Sequence, residues 1–93
     1  MIRSFKDKIT AAVGAGKTPR GFPPDLIKSA RRKLVMIDNA GTLSDLRAPP
    51  ANRLELLKGD RAGQHSIRIN DQYRICFRWI DGSAQDVEIT DYH

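Results

Sequence analysis

At Ala51 the hydrophobic period of this sequence changes from helical to alternating. Before it, Leu26, Ala30, Leu34 and Ile37 recur at the three- and four-residue spacing that lines one face of a helix. After it, Tyr73, Ile75, Phe77 and Trp79 alternate with Arg74, Cys76 and Arg78, and Val87 and Ile89 alternate with Glu88 and Thr90. That is the period of strands with one buried face. Helices first and strands afterwards predict an α+β fold.

Turn chemistry divides the two halves further. Phe5, Ile9 and Val13 predict a first helix, with Ser4 as its cap and Gly14 and Gly16 as its end. Met1 to Phe5 reads as a short strand or an extended lead-in. Pro24 opens a second helix, and Asn39 and Gly41 stop it. Lys28, Arg31, Arg32 and Lys33 are assigned to its solvent side. A short third turn covers Thr42 to Ala48, closed by Pro49 and Pro50. Beyond Ala51, Leu54 and Leu56 face one way and Arg53 and Glu55 the other. Lys58 to Gly63 forms a loop, Ile67 and Ile69 flank Arg68, and Asn70-Asp71-Gln72 and Asp81-Gly82 are hairpin turns. The expectation is N-terminal helices packed on one face of a mainly antiparallel sheet of about four to five strands. At 93 residues, one domain spanning 1–93 is expected.

Composition narrows the function. The chain carries 16 basic and 11 acidic side chains, for a net charge of +5. Residues 1–35 hold nine lysines and arginines against Asp7 and Asp25. Such a region attracts polyanions or acidic protein surfaces, although helices also expose Lys and Arg for solubility. No apolar run reaches the roughly 18 residues of a membrane span, and Met1 to Lys6 carries no secretion signal. The single cysteine, Cys76, cannot form an internal disulfide, so a reducing, cytoplasmic setting is expected. Two histidines and one cysteine, scattered, give no metal-ligand spacing. No metal and no cofactor is therefore expected. Gly14 to Thr18 reads as a weak phosphate-loop fragment, but it follows a helix where a strand is needed and lacks the first glycine.

The alternation projects Arg53, Glu55, Arg68, Arg74, Arg78, Glu88 and Tyr92 onto the face the helices leave open. Several guanidinium groups on one face suit phosphate; cross-strand Arg–Glu pairing on a solvated face is the plainer reading. Asp91, Tyr92 and His93 place a carboxylate, a phenol and an imidazole together, each able to move or orient a proton. His65 opens a strand and has the character of an ordinary histidine.

These segments resemble a known family. Leu54-Glu55-Leu56-Leu57-Lys58-Gly59-Asp60, Ile67-Arg68-Ile69-Asn70-Asp71-Gln72-Tyr73-Arg74-Ile75 and the closing Asp91-Tyr92-His93 look like HigB-type toxins of the RelE/ParE toxin–antitoxin superfamily. Ile2-Arg3-Ser4-Phe5-Lys6 and Ala30-Arg31-Arg32-Lys33-Leu34 match as well, so the resemblance spans essentially the whole chain. It implies a RelE-like microbial RNase fold and a ribosome-dependent mRNA endonuclease that inhibits translation. It further implies a HigA-type helix-turn-helix antitoxin, with operator DNA engaged only through that antitoxin. Carried over, the site is Lys58, Arg74, Asp91, Tyr92 and His93. The family pattern has a histidine where this chain has Glu55. Either Glu55 takes that proton-transfer role, or His93 does more of the work, or activity is weak.

In the reaction so implied, the RNA 2′-hydroxyl attacks the adjacent phosphate. Arg74, Arg68 and Lys58 stabilise the charge that builds there. His93 acts as general acid beside Asp91, Glu55 as base or orienting group, and Tyr92 stacks on a base or bonds the phosphate. Arg53, Arg78, Arg31 and Arg32 are candidate RNA-binding residues. Two other functions fit the same residues: a ParE-like toxin that binds gyrase, and a basic RNA-binding module without catalysis.

Overall fold

A computed structural model describes residues 1–91. Three α-helices come first: α1 (Lys8–Gly14), α2 (Ile27–Asn39) and α3 (Leu43–Arg47). Four strands follow: β1 (Glu55–Leu56), β2 (His65–Arg68), β3 (Tyr73–Ile80) and β4 (Ser83–Asp91). All neighbouring pairs are antiparallel and the spatial order is β1-β2-β3-β4, the expected meander. The lead-in runs parallel to the outer edge of β4, through bridges Ile2 to Ala84 and Phe5 to Val87.

The turns follow their residue types. Asn70 Oδ1 accepts from the backbone N–H groups of Gln72 and Tyr73, which closes the β2–β3 turn. Asp81 and Gly82 both take positive φ (49° and 77°), the two left-handed positions of a tight hairpin. Thr42 and Asp45 form a reciprocal capping box that starts α3. The helices cover one face of the sheet. Val13, Ile37, Leu46, Ile67, Ile75, Phe77 and Val87 are fully buried between the layers. A side chain such as Phe77 contributes about 1.5–3 kcal/mol by that burial.

Five local expectations are corrected. Asp7, not Ser4, caps α1: its carboxylate accepts from the Thr10 N–H at 2.8 Å. Ser4 Oγ accepts instead from the Asp86 N–H. Phe5 lies before the helix and Ile9 is exposed, so the spacing of Phe5, Ile9 and Val13 does not mark a buried face; Thr10 and Val13 do. Thr10 Oγ1 accepts from the Ile89 N–H at 3.0 Å and ties α1 to β4. Leu56 is 61% exposed and Leu57 is buried, because β1 is only two residues long and the chain turns out of it. Lys33 is buried on α2, beside Ala30, Leu34 and Ile37. Cys76, on the polar phase of β3, is fully buried as well.

One irregularity sets the phase of the last strand. Cys76 pairs with Glu88 and Arg78 with Gln85, so Asp86 and Val87 both stand against Phe77. Asp86 takes φ 53° at this bulge. The extra residue lets Ala84 and Val87 both reach the core while Glu88 stays on the open face.

Candidate active site

Register fixes what shares the open face. Glu55 lies opposite Ser66, Ser66 opposite Cys76, and Cys76 opposite Glu88, a row that crosses the whole sheet. The next row sets Arg68 opposite Arg74 and Arg74 opposite Thr90. Arg78 stands beyond the bulge. Like charges placed directly opposite destabilise a sheet. The Arg68–Arg74 pair therefore costs stability unless each guanidinium is held by something else.

Both are. Arg68 pairs with Asp71 of the β2–β3 turn. Arg74 donates from Nε to Ser66 Oγ at 2.7 Å and from Nη2 to the Arg53 backbone carbonyl at 2.7 Å. Neither of these Arg74 partners carries a charge, so the guanidinium is oriented while its charge stays uncompensated by them. Arg53 itself takes left-handed backbone angles (φ 45°, ψ 56°), which set the direction of its carbonyl.

A residue overlooked in the sequence crosses this face. Arg61, in the 3₁₀ turn Gly59–Arg61, reaches over to β4 and pairs with Glu88 at 3.0 Å. It also donates to Gln64 Oε1 and Thr90 Oγ1. The signal was the Gly59 to Gly63 segment: its two glycines take φ 64° and 90° and fold the loop back. Gly63 is also tight, since a Cβ there would lie 3.0 Å from Arg78 Nη1. Beneath Arg61 lies Cys76. Burial pushes its thiol pKa up, with Arg61 pulling it down and Glu88 pushing it up, and with smaller effects from Arg74 and Glu55. Those four groups surround one point of the sheet. The thiol stays protonated and makes a poor nucleophile.

The other candidates distribute as follows. Glu55 and Lys58 line a shallow open groove with Leu56 and Leu57 along β1. Arg78 faces Asp86 at 3.9 Å. Asp91 is in register with Tyr73, on the row that faces the helices, and accepts from Gln72 Nε2 at 2.9 Å. Tyr92 and His93 lie outside the described residues. Arg31 and Arg32 belong to the helix layer, apart from this face. Arg31 donates to the carbonyl of Val13 near the end of α1 and to that of Lys17 in the loop after it, and Arg32 is exposed on α2. His65 stacks on Phe77 at 6.3 Å between ring centres. Its Nδ1 is buried without a hydrogen-bond partner among the described residues. Burial and the charge of Arg47 lower its pKa. Among the described residues no group of three or more His, Cys, Asp or Glu side chains is placed to hold a metal ion. None of their helices is long and apolar enough to cross a membrane.

With this geometry in view, three comparisons with known proteins agree. Residues 3–93 match the model of the HigB-like toxins, described as RelE-like toxins of type II toxin–antitoxin systems. The chain belongs to that family. Toxin HigB-1 of Vibrio cholerae is 44% identical over 85 residues, 90% of each chain. Endoribonuclease HigB of Proteus vulgaris is 33% identical over the full length of both. The fold matches a chain of the YoeB–YefM complex from Staphylococcus aureus with a TM-score of 0.61 at 22% identity, over 100% of this chain and 98% of that one. The HigB-like assignment bears out the resemblance read from Leu54 to Ile75 and from the closing tripeptide, and the solved structure bears out the RelE-like α+β fold.

Proposed function

We propose that this HigB-like toxin is an endoribonuclease that cleaves mRNA on the ribosome and so stops translation. The observation that carries the reading is Arg74, oriented by Ser66 and the Arg53 carbonyl and facing a second arginine across the strand pair. Two guanidinium groups placed opposite each other offer donors to an anion bound between or above them. An RNA phosphate is such an anion. The full-length likeness to a protein named Endoribonuclease HigB supports the same chemistry.

The 2′-hydroxyl attacks the adjacent phosphate and displaces the 5′-oxygen of the next nucleotide. Arg74 and Arg68, with Lys58, stabilise the added negative charge. Glu55, exposed at the edge strand, takes the hydroxyl proton. His93 delivers a proton to the leaving oxygen, with Asp91 favouring its charged form, and Tyr92 stacks on a base. Arg53 and Arg78 extend the RNA path. Arg31 and Arg32 lie with the basic helices and suit the ribosome or an acidic partner better than the scissile phosphate. No metal takes part. The partner is a HigA-type helix-turn-helix antitoxin, and operator DNA is reached only through it. The chain acts as one unit over 1–93 in the cytoplasm.

The test is cleavage of a defined mRNA in preassembled ribosome complexes, read as new 5′ ends, beside the same RNA free in solution. Cleavage confined to the ribosome complexes is expected. Equal cleavage of free RNA removes ribosome dependence, and no cleavage in either removes the enzyme reading.

A further inference from the structure

Lys33 is the least economical residue on α2. It occupies a buried position on the face that also carries Ala30, Leu34 and Ile37. Leu or Met would fill that space without desolvating a charge. No carboxylate pairs with its amine among the described residues. Its Nζ donates to Asn52 Oδ1.

Asn52 is fully buried and held from three sides. Besides accepting from Lys33, its amide donates to the Leu46 carbonyl at 3.0 Å and contacts the Met36 sulfur at 3.1 Å. It closes the 3₁₀ turn Pro50–Asn52. The next residue, Arg53, takes the left-handed conformation uncommon for a non-glycine residue. That conformation aims the Arg53 carbonyl at Arg74 Nη2. The chain of contacts runs Lys33, Asn52, Arg53, Arg74, and it links the helix layer to the open face of the sheet. The charge of Lys33 is also felt from that face: after burial and Arg32, Arg68 is a further cause of its lowered pKa.

We infer that Lys33 and Asn52 are positioning residues for Arg74, a buried strut that fixes the Arg53 carbonyl and through it the guanidinium that meets the substrate phosphate. The inference rests on the endoribonuclease reading for its activity arm, but its geometric arm is independent of it. Removing the strut leaves the Arg74 Nε bond to Ser66 in place and loosens the Nη2 end of the guanidinium that the Arg53 carbonyl holds. Misplacement of about 1 Å can slow a reaction roughly a hundredfold.

Two measurements decide it. The first is a double-mutant cycle on cleavage of ribosome-bound mRNA at saturation, with Lys33→Met, Arg74→Lys and both together. Lys33→Met is expected to slow cleavage about tenfold to a hundredfold with little change in the half-saturating concentration. In the Arg74→Lys background it is expected to cost almost nothing more, because there is no fork left to orient. Additive losses, or a rate within about twofold of wild type, would overturn the inference. The second is the Nη2–H NMR signal of Arg74, the group bonded to the Arg53 carbonyl, assigned by its disappearance in Arg74→Lys. It is expected to be sharp and slowly exchanging in wild type and broadened in Lys33→Met; an unchanged signal overturns the inference whether or not RNA is cleaved. Lys33→Gln, which keeps a neutral donor, is read in the same two ways should Lys33→Met fail to fold. Wild-type protein that cleaves nothing counts against the enzyme reading alone, since the NMR arm still decides the strut.

Discussion

On the helix side of the molecule, Arg31 directs its donors to the carbonyl of Val13, in the last turn of α1 where negative partial charge collects, and to that of Lys17 in the loop beyond. On the open side of the sheet, Arg68 and Arg74 stand opposite each other, and Arg74 is held by a hydroxyl and a backbone carbonyl. The same side chain therefore does two jobs. Arg31 joins two helices, and its charge is answered by the helix end. Arg74 is instead oriented by a neutral hydroxyl and a backbone carbonyl on the open face. The difference shows that a count of arginines says little about a site; what each guanidinium is bonded to says much more.

That comparison can be tested from both sides. The largest expected effect lies beyond β4. Deleting Tyr92 and His93 removes the proposed acid and leaves whole the buried cluster of the described residues. Ribosomal mRNA cleavage should fall by about 10²- to 10⁴-fold, with thermal unfolding unchanged. Cleavage within a few-fold of wild type would reassign proton transfer to Glu55 and Lys58. Next, Arg68→Ala should slow cleavage more than Arg78→Ala. Arg68 shares a row with Arg74, whereas Arg78 lies past the bulge beside Asp86. Equal rates for the two variants, at equal stability, would dissolve the special status of the Arg68–Arg74 row.

Smaller effects concern stability and pH. Replacing Arg61 with Ala removes its pairing to Glu88 across the sheet and should cost under about 1 kcal/mol, since the pair is partly exposed. Denaturant unfolding measures it. His65 is held neutral in the fold, with its pKa lowered below 6.5 chiefly by burial. The unfolded chain then binds more protons than the folded one as pH falls below 6.5, so stability is lost over that acidic window. His65→Leu should flatten the acid side of the stability curve relative to wild type. Lys33 works in the same direction at the alkaline end. Its folded pKa is lowered, so its burial penalty is present in full below that folded pKa and eases as pH rises from there toward 10.5. Lys33→Met should lose that alkaline gain.

Much of the architecture was legible because local signals agreed with one another. The period change at Ala51, Pro24 at a helix start, Asn70 and Asp81-Gly82 at turns, and the strict alternation of Tyr73 to Trp79 all point to the same layers. What escaped depended on contacts far apart in sequence. Lys33 reads as surface by type, and only Asn52, brought under α2 by a proline-led turn, makes its burial tolerable. Cys76 alternates as an outward residue, yet Arg61 folds over that part of the sheet from a loop that carries no periodicity. The Asp86 bulge shifts the phase of β4 by one residue, which no alternation count within that strand reveals. Within the candidate site, Arg74, Arg68 and Glu55 were placed correctly on the open face by period alone. Their partners Ser66, Thr90 and Arg61 were not singled out, because support for a guanidinium leaves no pattern in the chain.

The most direct measurement sets Arg74→Ala beside Arg31→Ala in one assay of mRNA cleavage on ribosome complexes, with thermal unfolding of both proteins recorded. Losing a preorganised donor at the reacting phosphate should cut the Arg74→Ala rate about a hundredfold or more. With ribosome complexes at saturation, Arg31→Ala should cleave at close to the wild-type rate while losing about 0.5–1.5 kcal/mol of stability per hydrogen bond removed. Equal, small rate effects for the two variants would contradict the claim that the open face of the sheet is where RNA is cut.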